Sequence, residues 1–382
     1  MIRVPTAPSV LRWALERSGR TEEELRNKFP KLAEWLSGRS YPTLRQLEVL
    51  AKATATPLGY LFLPEPPEER LPIPYFRTLS GEPLRRPSPD LLEMVQTMER
   101  RQAWMRDYLI EQGFEPLAFV GSARLTDEPE RLGYEMRRTL GIAGEWAASQ
   151  PTWTAALRAL QSKVEEAGIL VVVSGIVGNN TRRKLDPSEF RGFVLVDEYA
   201  PLVFTNGADG RAAQMFTLAH ELAHIWLGSS AAFDLRELQP ANDESEQACN
   251  RVAAEFLVPT RPLRELWPSI RQEPEPFQAA ARRFKVSELV AARRALDLRL
   301  VKSDEFFDFY RTYQERERRT AGGQEGGNFY ATQNLRLGWL FAETIVRAVR
   351  EGKLLYHDAY RLTGLYGKTF ERYAEHLVGG LP

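Results

Sequence analysis

Residues 215–228 read Met215-Phe-Thr-Leu-Ala-His220-Glu221-Leu-Ala-His224-Ile-Trp-Leu-Gly228, and the rest of the chain is organised around this stretch. Met215, Leu218, Ala219, Leu222 and Trp226 recur at the spacing of one buried helical stripe, and Gly228 is a natural stop. On such a helix His220 and His224, four apart, project from one face and can share one ion. Glu221 follows the first histidine directly, which sets its carboxylate beside the ion's open side rather than among the ligands. One turn of H-E-x-x-H therefore offers two neutral imidazole ligands and a general base. The chain holds four histidines, and two fall here. The plain alternative is two hydrogen-bonded core histidines on an amphipathic helix.

Two imidazoles do not complete a metal site. The acidic residues downstream are Asp234, Glu237, Asp243, Glu244, Glu246 and Glu255. Residues 245–258 read as a second helix, since Cys249, Val252, Ala253, Phe256 and Leu257 follow the i, i+3, i+4, i+7, i+8 pattern. Glu246 precedes Cys249 by three and shares its buried face, whereas Glu244 and Glu255 point elsewhere and Asp243 caps the helix. A carboxylate on an inward face is costly unless something positive meets it. Glu246 is accordingly the choice for third ligand; the competing role is a first-turn Glu favoured by the helix dipole.

These two segments together resemble the ImmA/IrrE family of metallopeptidases. In that family H-E-x-x-H is paired with E-x-x-A-N-x-F-A-A-x-L-L-M-P, whose first Glu is the third metal ligand. Here Glu246-Gln-Ala-Cys249-Asn250-Arg-Val252-Ala-Ala-Glu-Phe256-Leu-Val258-Pro259 fills that segment. Cys249 stands for the usual Ala, Val252 for Phe, and Phe256 and Val258 for Leu and Met. The resemblance implies a metal held by His220, His224 and Glu246, with Asn250 orienting a ligating histidine from behind. It also implies a peptidase that regulates by cleaving a transcriptional repressor, commonly of Xre type, in a stress or mobile-element response. A His₂Glu set suits Zn²⁺ best and also accepts Mn²⁺ or Fe²⁺.

The remaining sequence supports an α+β chain, mainly α. Its 382 residues and 43% hydrophobic content allow two or three domains with real cores. Lys+Arg and Asp+Glu are equal at 51 each, so no global basic charge advertises nucleic acid. A single cysteine suits a reducing cytoplasm, and no apolar run is long enough for a signal peptide or a membrane span.

Four regions follow. Residues 1–66 resemble an Xre/Cro-type helix-turn-helix, carried by Trp35-Leu-Ser-Gly38-Arg39-Ser-Tyr-Pro42-Thr43 with Leu47, Leu50-Ala51 and Leu58-Gly-Tyr60-Leu-Phe62; Thr21 with Glu24 is placed as a capping box. Residues 1–63 carry 10 Lys/Arg against 6 Glu and no Asp, a surplus compatible with phosphate contacts. The segment from Glu24-Leu25 to Trp35 is about four residues shorter than the Xre pattern, and Phe29-Pro30 replaces its turn. The recognition helix is thus cut to Lys31–Ser37, with Lys31, Glu34 and Arg39 outward as DNA contacts; the alternative is a sensor or dimerisation module, compatible with a homodimer. Residues 67–124 are a proline-rich connector, whose segment 72–77 should dock on the next domain, and a helix from Asp90 to about Gln112 with Glu99, Arg100, Arg101 and Arg106 on a solvated face.

Residues 125–262 are the catalytic domain, with helices near 127–140 and 153–167 and a strand over 169–173. A hairpin of 190–196 and 201–205 follows, and the free edge of its second strand could align an extended peptide by main-chain pairing. Residues 263–382 are helical, with a break at 318–327 and two last helices at about 333–350 and 356–376. His357 and His376 there have no ligand spacing. Two functions compete: a zinc endopeptidase that cuts a repressor, and an Xre-type DNA-binding regulator whose peptidase-like domain senses.

Overall fold

The computed structural model describes residues 2–69, 87–142, 144–229, 231–233, 244–320 and 329–379. The chain divides into two compact units, with the boundary between Gln96 and Thr97 inside one long helix. The docking of 72–77 expected from the sequence lies outside the described residues.

The N-terminal unit is helical. α1 (Pro8–Ser18), α2 (Glu22–Arg26), α3 (Leu32–Leu36), α4 (Leu44–Ala53) and a 3-10 turn at Leu58–Phe62 enclose a core of Val10, Leu11, Leu32, Trp35, Leu47 and Leu50. Thr21 accepts from the Glu24 amide at α2, and a full capping box forms at Thr43–Gln46. Arg17 clasps Glu69 through two nitrogens at 2.5 and 2.8 Å and donates to the Ala55 carbonyl. α3 is five residues long, about 7.5 Å of helix. α5 (Pro89–Glu111) passes from this unit into the next.

The larger unit is built on a four-stranded sheet of order β1-β3-β2-β4. β1 (Leu170–Ser174) runs parallel to β3 (Leu202–Asn206), whose other side pairs antiparallel with β2 (Gly192–Leu195). β4 (Ala231–Phe233) adds to β2. The hairpin forms where the alternation puts it, but its second strand is interior. β3 is bonded on both sides, so it has no free edge to offer a peptide; the outer strands are β1 and β4. Nothing in a five-residue apolar run states how many neighbours it will find, which is why the edge was misplaced.

α6 (Pro129–Thr139) and α7 (Trp153–Glu166) precede the sheet, α8 (Arg211–Leu227) follows β3, and α9 (Glu244–Leu257) follows β4. α8 lies against β2, β3, α7 and α9. It is therefore a central helix, buried from Gln214 to Trp226 without interruption, and not the one-stripe helix that the periodicity suggests. α10 (Thr260–Ile270), α11 (Pro276–Phe284), α12 (Glu288–Asp297) and α13 (Ser303–Thr320) continue one core with it: Met215, Leu222, Phe256, Leu263, Phe277, Ala291 and Phe306 belong to a single cluster. α13 runs helical through Arg318 and Arg319 to Thr320, so the break expected at 318–327 is absent from 318–320, and its remainder lies outside the described residues.

The C-terminal region forms four helices rather than two: α14 (Phe329–Leu337), α15 (Trp339–Arg350), α16 (Tyr356–Thr363) and α17 (Lys368–Gly379). Gly338 divides the first pair. Its φ is +81°, and a Cβ there would stand 2.7 Å from the Val171 carbonyl of β1, so only glycine lets the helices turn this close to the sheet. Arg101 on α5 is buried and not on a solvated face. It donates to the carbonyls of Arg336 and Leu362 near the C-terminal ends of α14 and α16 and lies over the Phe341 ring. Helix ends of this kind leave carbonyls unpaired and partially negative, which is what draws the guanidinium inward. His357 and His376 are exposed. No helix among the described residues is long and apolar enough to cross a membrane.

Glu165, near the end of α7, caps the opposite kind of terminus. Its carboxylate accepts from the Leu340 amide at 3.1 Å, at the start of α15. Burial raises its pKa to about 7, against the lowering effect of the Leu340 and Trp339 amides. The native state thus keeps a proton that the unfolded chain releases between pH about 4.5 and about 7, so this group's stabilising contribution is present at low pH and lost as pH rises across that window. Glu165→Gln should remove that part of the pH dependence, seen as a smaller difference in urea midpoint between pH 5 and pH 8 than in the wild type. An unchanged difference would contradict the assignment.

Candidate metal centre

The centre is a seam between α8 and α9 closed from behind by β2. Gly228 ends α8 in the left-handed conformation at φ +73°. The chain at 119–123 covers that end: the amides of Gly121 and Ala123 donate to the carbonyls of Ile225 and Trp226 at 3.0 and 2.8 Å, and Phe119 stacks on Trp226 with ring centroids 4.6 Å apart. These bonds help satisfy the last carbonyls of a buried helix, which lack partners in a following helical turn.

On this rigid helix His220 Nε2 and His224 Nε2 lie 3.1 Å apart. The Glu246 carboxylate, in the first turn of α9, reaches them at 3.1 and 3.2 Å. His220 Nδ1 is 3.1 Å from Asn250 Oδ1. A carboxamide oxygen only accepts, so the His220 ring carries its proton on Nδ1 and presents a lone pair at Nε2. His224 Nδ1 has a similar partner in Ser229 Oγ at 3.1 Å, a contact that the sequence reading did not identify. Burial lowers the His220 pKa and outweighs the opposing pull of Glu246, which keeps the ring neutral.

Electron pairs from two imidazoles and a carboxylate thus converge at 3.1–3.2 Å. Unshared, they repel; a cation among them turns the repulsion into coordination. The spacing fits: donors about 2.0–2.1 Å from a tetrahedral zinc are separated by about 3.3 Å. The donor set present therefore accommodates a divalent ion. Among the described residues, His220, His224 and Cys249 also bring one donor atom each within 4.8 Å of one another.

Glu221 is fully buried, and among the described residues neither of its carboxylate oxygens has a hydrogen-bond partner. Burial first, and the nearby charge of Glu246 second, raise its pKa well above the ordinary value. Its neighbour across the seam is Gly192 of β2, where a Cβ would lie 2.5 Å from Thr217 Cγ2 and 3.2 Å from Glu221 Oε1. Gly192 therefore sets how closely the sheet approaches the helix, and its signal in the sequence was only a glycine inside a strand.

The other acids fall into place around this geometry. Glu255, at the far end of α9, pairs with Arg294 of α12 and accepts from the Thr260 amide and hydroxyl. Glu244 is exposed, while Asp234, Glu237 and Asp243 lie outside the described residues. Lys31 and Arg39 are exposed and Glu34 half-exposed in the N-terminal unit.

Residues 164–296 match the family model of the IrrE N-terminal-like domain, peptidase family M78. The matched span starts within α7 and ends within α12, and it contains the sheet, α8 and α9. Over these residues the chain is similar to peptidases of the ImmA/IrrE type. Residues 337–376 match a domain of unknown function, DUF8813. No curated protein matches the chain.

The two hydrogen bonds behind the imidazoles generate a test. Asn250→Ala and Ser229→Ala each free a ring nitrogen from its partner, so each should lower zinc affinity by about 10–100-fold, read by competition with a chelating dye. Gly192→Ala should destabilise the fold by roughly 1–3 kcal/mol through overpacking, read from urea denaturation. Affinities and stability equal to wild type would remove these roles.

Proposed function

We propose that the chain is a zinc-dependent endopeptidase that regulates gene expression by cleaving a transcriptional repressor of Xre type, in the manner its ImmA/IrrE-type domain suggests. The reading is carried by the convergence of His220, His224 and Glu246 beside the unpaired carboxylate of Glu221. In this reading His220, His224 and Glu246 hold the ion, Zn²⁺ in preference to Mn²⁺, and Asn250 and Ser229 hold the rings.

A divalent ion held there would supply Lewis acidity, polarising the scissile carbonyl and lowering the pKa of a water toward about 7. Glu221 is the proton carrier. It takes a proton from the attacking water onto a carboxylate oxygen and delivers it to the nitrogen of the leaving amine. The absence of any other hydrogen bond to either oxygen leaves both free for this traffic.

A second reading is DNA binding by the N-terminal unit, with the peptidase domain as a sensor. It is favoured by Lys31 and Arg39, exposed at the two ends of α3. Band shifts that fade with salt and weaken in Lys31→Ala or Arg39→Ala would support it; no shift on the chain's own promoter would remove it.

For the peptidase, purified protein loaded with zinc should hold one equivalent. Glu221→Gln should retain that ion, since no ligand is removed, and cut a repressor substrate about 10²-fold or more slowly. Wild-type cleavage by the variant with its metal intact would exclude Glu221 as the base. Failure of the wild type to bind stoichiometric metal would sink the metallopeptidase reading itself.

A further inference from the structure

Cys249 is the single cysteine of the chain, fully buried on α9 one turn after Glu246. Residues three apart on a helix share a face, so the sulfur looks onto the seam that Glu246 enters. Its Sγ and one nitrogen of each of His220 and His224 lie within 4.8 Å of one another. A buried cysteine in apolar surroundings is a small hydrophobe; Cys249 belongs to the apolar core and also borders two imidazoles. The two imidazoles also meet the Glu246 carboxylate, and among the described residues neither oxygen of the fully buried Glu221 has a hydrogen-bond partner. An unpaired buried carboxylate is costly and independently marks the seam as a place for a cation.

We propose that Cys249 Sγ is a fourth protein donor to the ion, so that the resting centre is His₂GluCys. The inference rests on the metallopeptidase reading and deepens it. For bonds of about 2.3 Å to sulfur and about 2.0 Å to nitrogen, tetrahedral donors stand about 3.5 Å apart. The 4.8 Å limit on the present separations leaves on the order of 1 Å to close, within reach of a χ1 adjustment at Cys249. The thiol proton passes to solvent as the metal–sulfur bond forms. Two consequences follow from the chemistry of the donor. Thiolate is soft, so the centre favours Zn²⁺ over Mn²⁺ more strongly than His₂Glu would. Four protein donors also close a tetrahedral site, so the sulfur competes with water for the position that catalysis needs.

Cobalt reports the sulfur directly. Full-length protein loaded with Co²⁺ should show a near-ultraviolet sulfur-to-cobalt charge-transfer band together with visible bands of four-coordinate cobalt. Cys249→Ala and Cys249→Ser should keep visible bands and lose the near-ultraviolet one. Zinc affinity, read by dye competition, should fall about tenfold or more in Cys249→Ala, and the preference for zinc over manganese should narrow. Visible cobalt bands in the wild type without the near-ultraviolet band would overturn the sulfur ligand while leaving the metallopeptidase reading intact. No cobalt binding by the wild type would overturn both. Should neither variant fold, the presence or absence of the near-ultraviolet band in the wild type decides alone.

Discussion

Three electron-pair donors aimed at one point in a dry seam set the terms for the larger unit. His220 and His224 are almost without exposure and Glu246 has 5%, so none of them can turn to water for relief. Their cost is met in two ways. Each imidazole is bonded behind, to Asn250 or Ser229, and the donors in front need a positive charge between them. The first holds the rings in place, and the second is what a bound cation would supply. A rigid array of mutually repelling groups survives only where the surrounding packing stops the side chains from turning away.

That packing explains features otherwise remote from the chemistry. α8 must be enclosed on all sides, and β2 can come close only because residue 192 has no Cβ to meet Thr217 and Glu221. The helix end at Gly228 is held by amides from Gly121 and Ala123. α9 is fixed at both ends by carboxylates with opposite tasks: Glu246 faces the imidazoles, and Glu255 faces Arg294 and Thr260. Glu255 thereby joins α9 to α12, which is why the core extends without interruption into α10–α13.

Farther out the same rule recurs. Arg101 is buried and Glu165 half-buried, and each is met by the end of a helix: carbonyls of α14 and α16 for the guanidinium, an amide of α15 for the carboxyl group. At these two positions the backbone itself supplies the complementary partial charge. Such partners come from segments more than a hundred residues away, as with Arg101 and Leu362, and leave no trace in local periodicity.

Sequence alone determined what is local. The i, i+4 spacing of His220 and His224, the stop at Gly228, the apolar run of β1, the β2–β3 hairpin and the cap at Thr21 depend on neighbours a few residues apart, where chain geometry leaves little choice. Glu246 was legible too, because a carboxylate on an inward face three residues from Cys249 needs a reason to be there. Tertiary structure decided the rest. It made β3 an interior strand, buried α8 on every side, drew Arg101 inward, placed Ser229 behind His224, and turned the chain at Gly338 where a side chain would strike Val171. Each of these depends on which distant surface arrives, and a residue's own pattern carries no record of its partner.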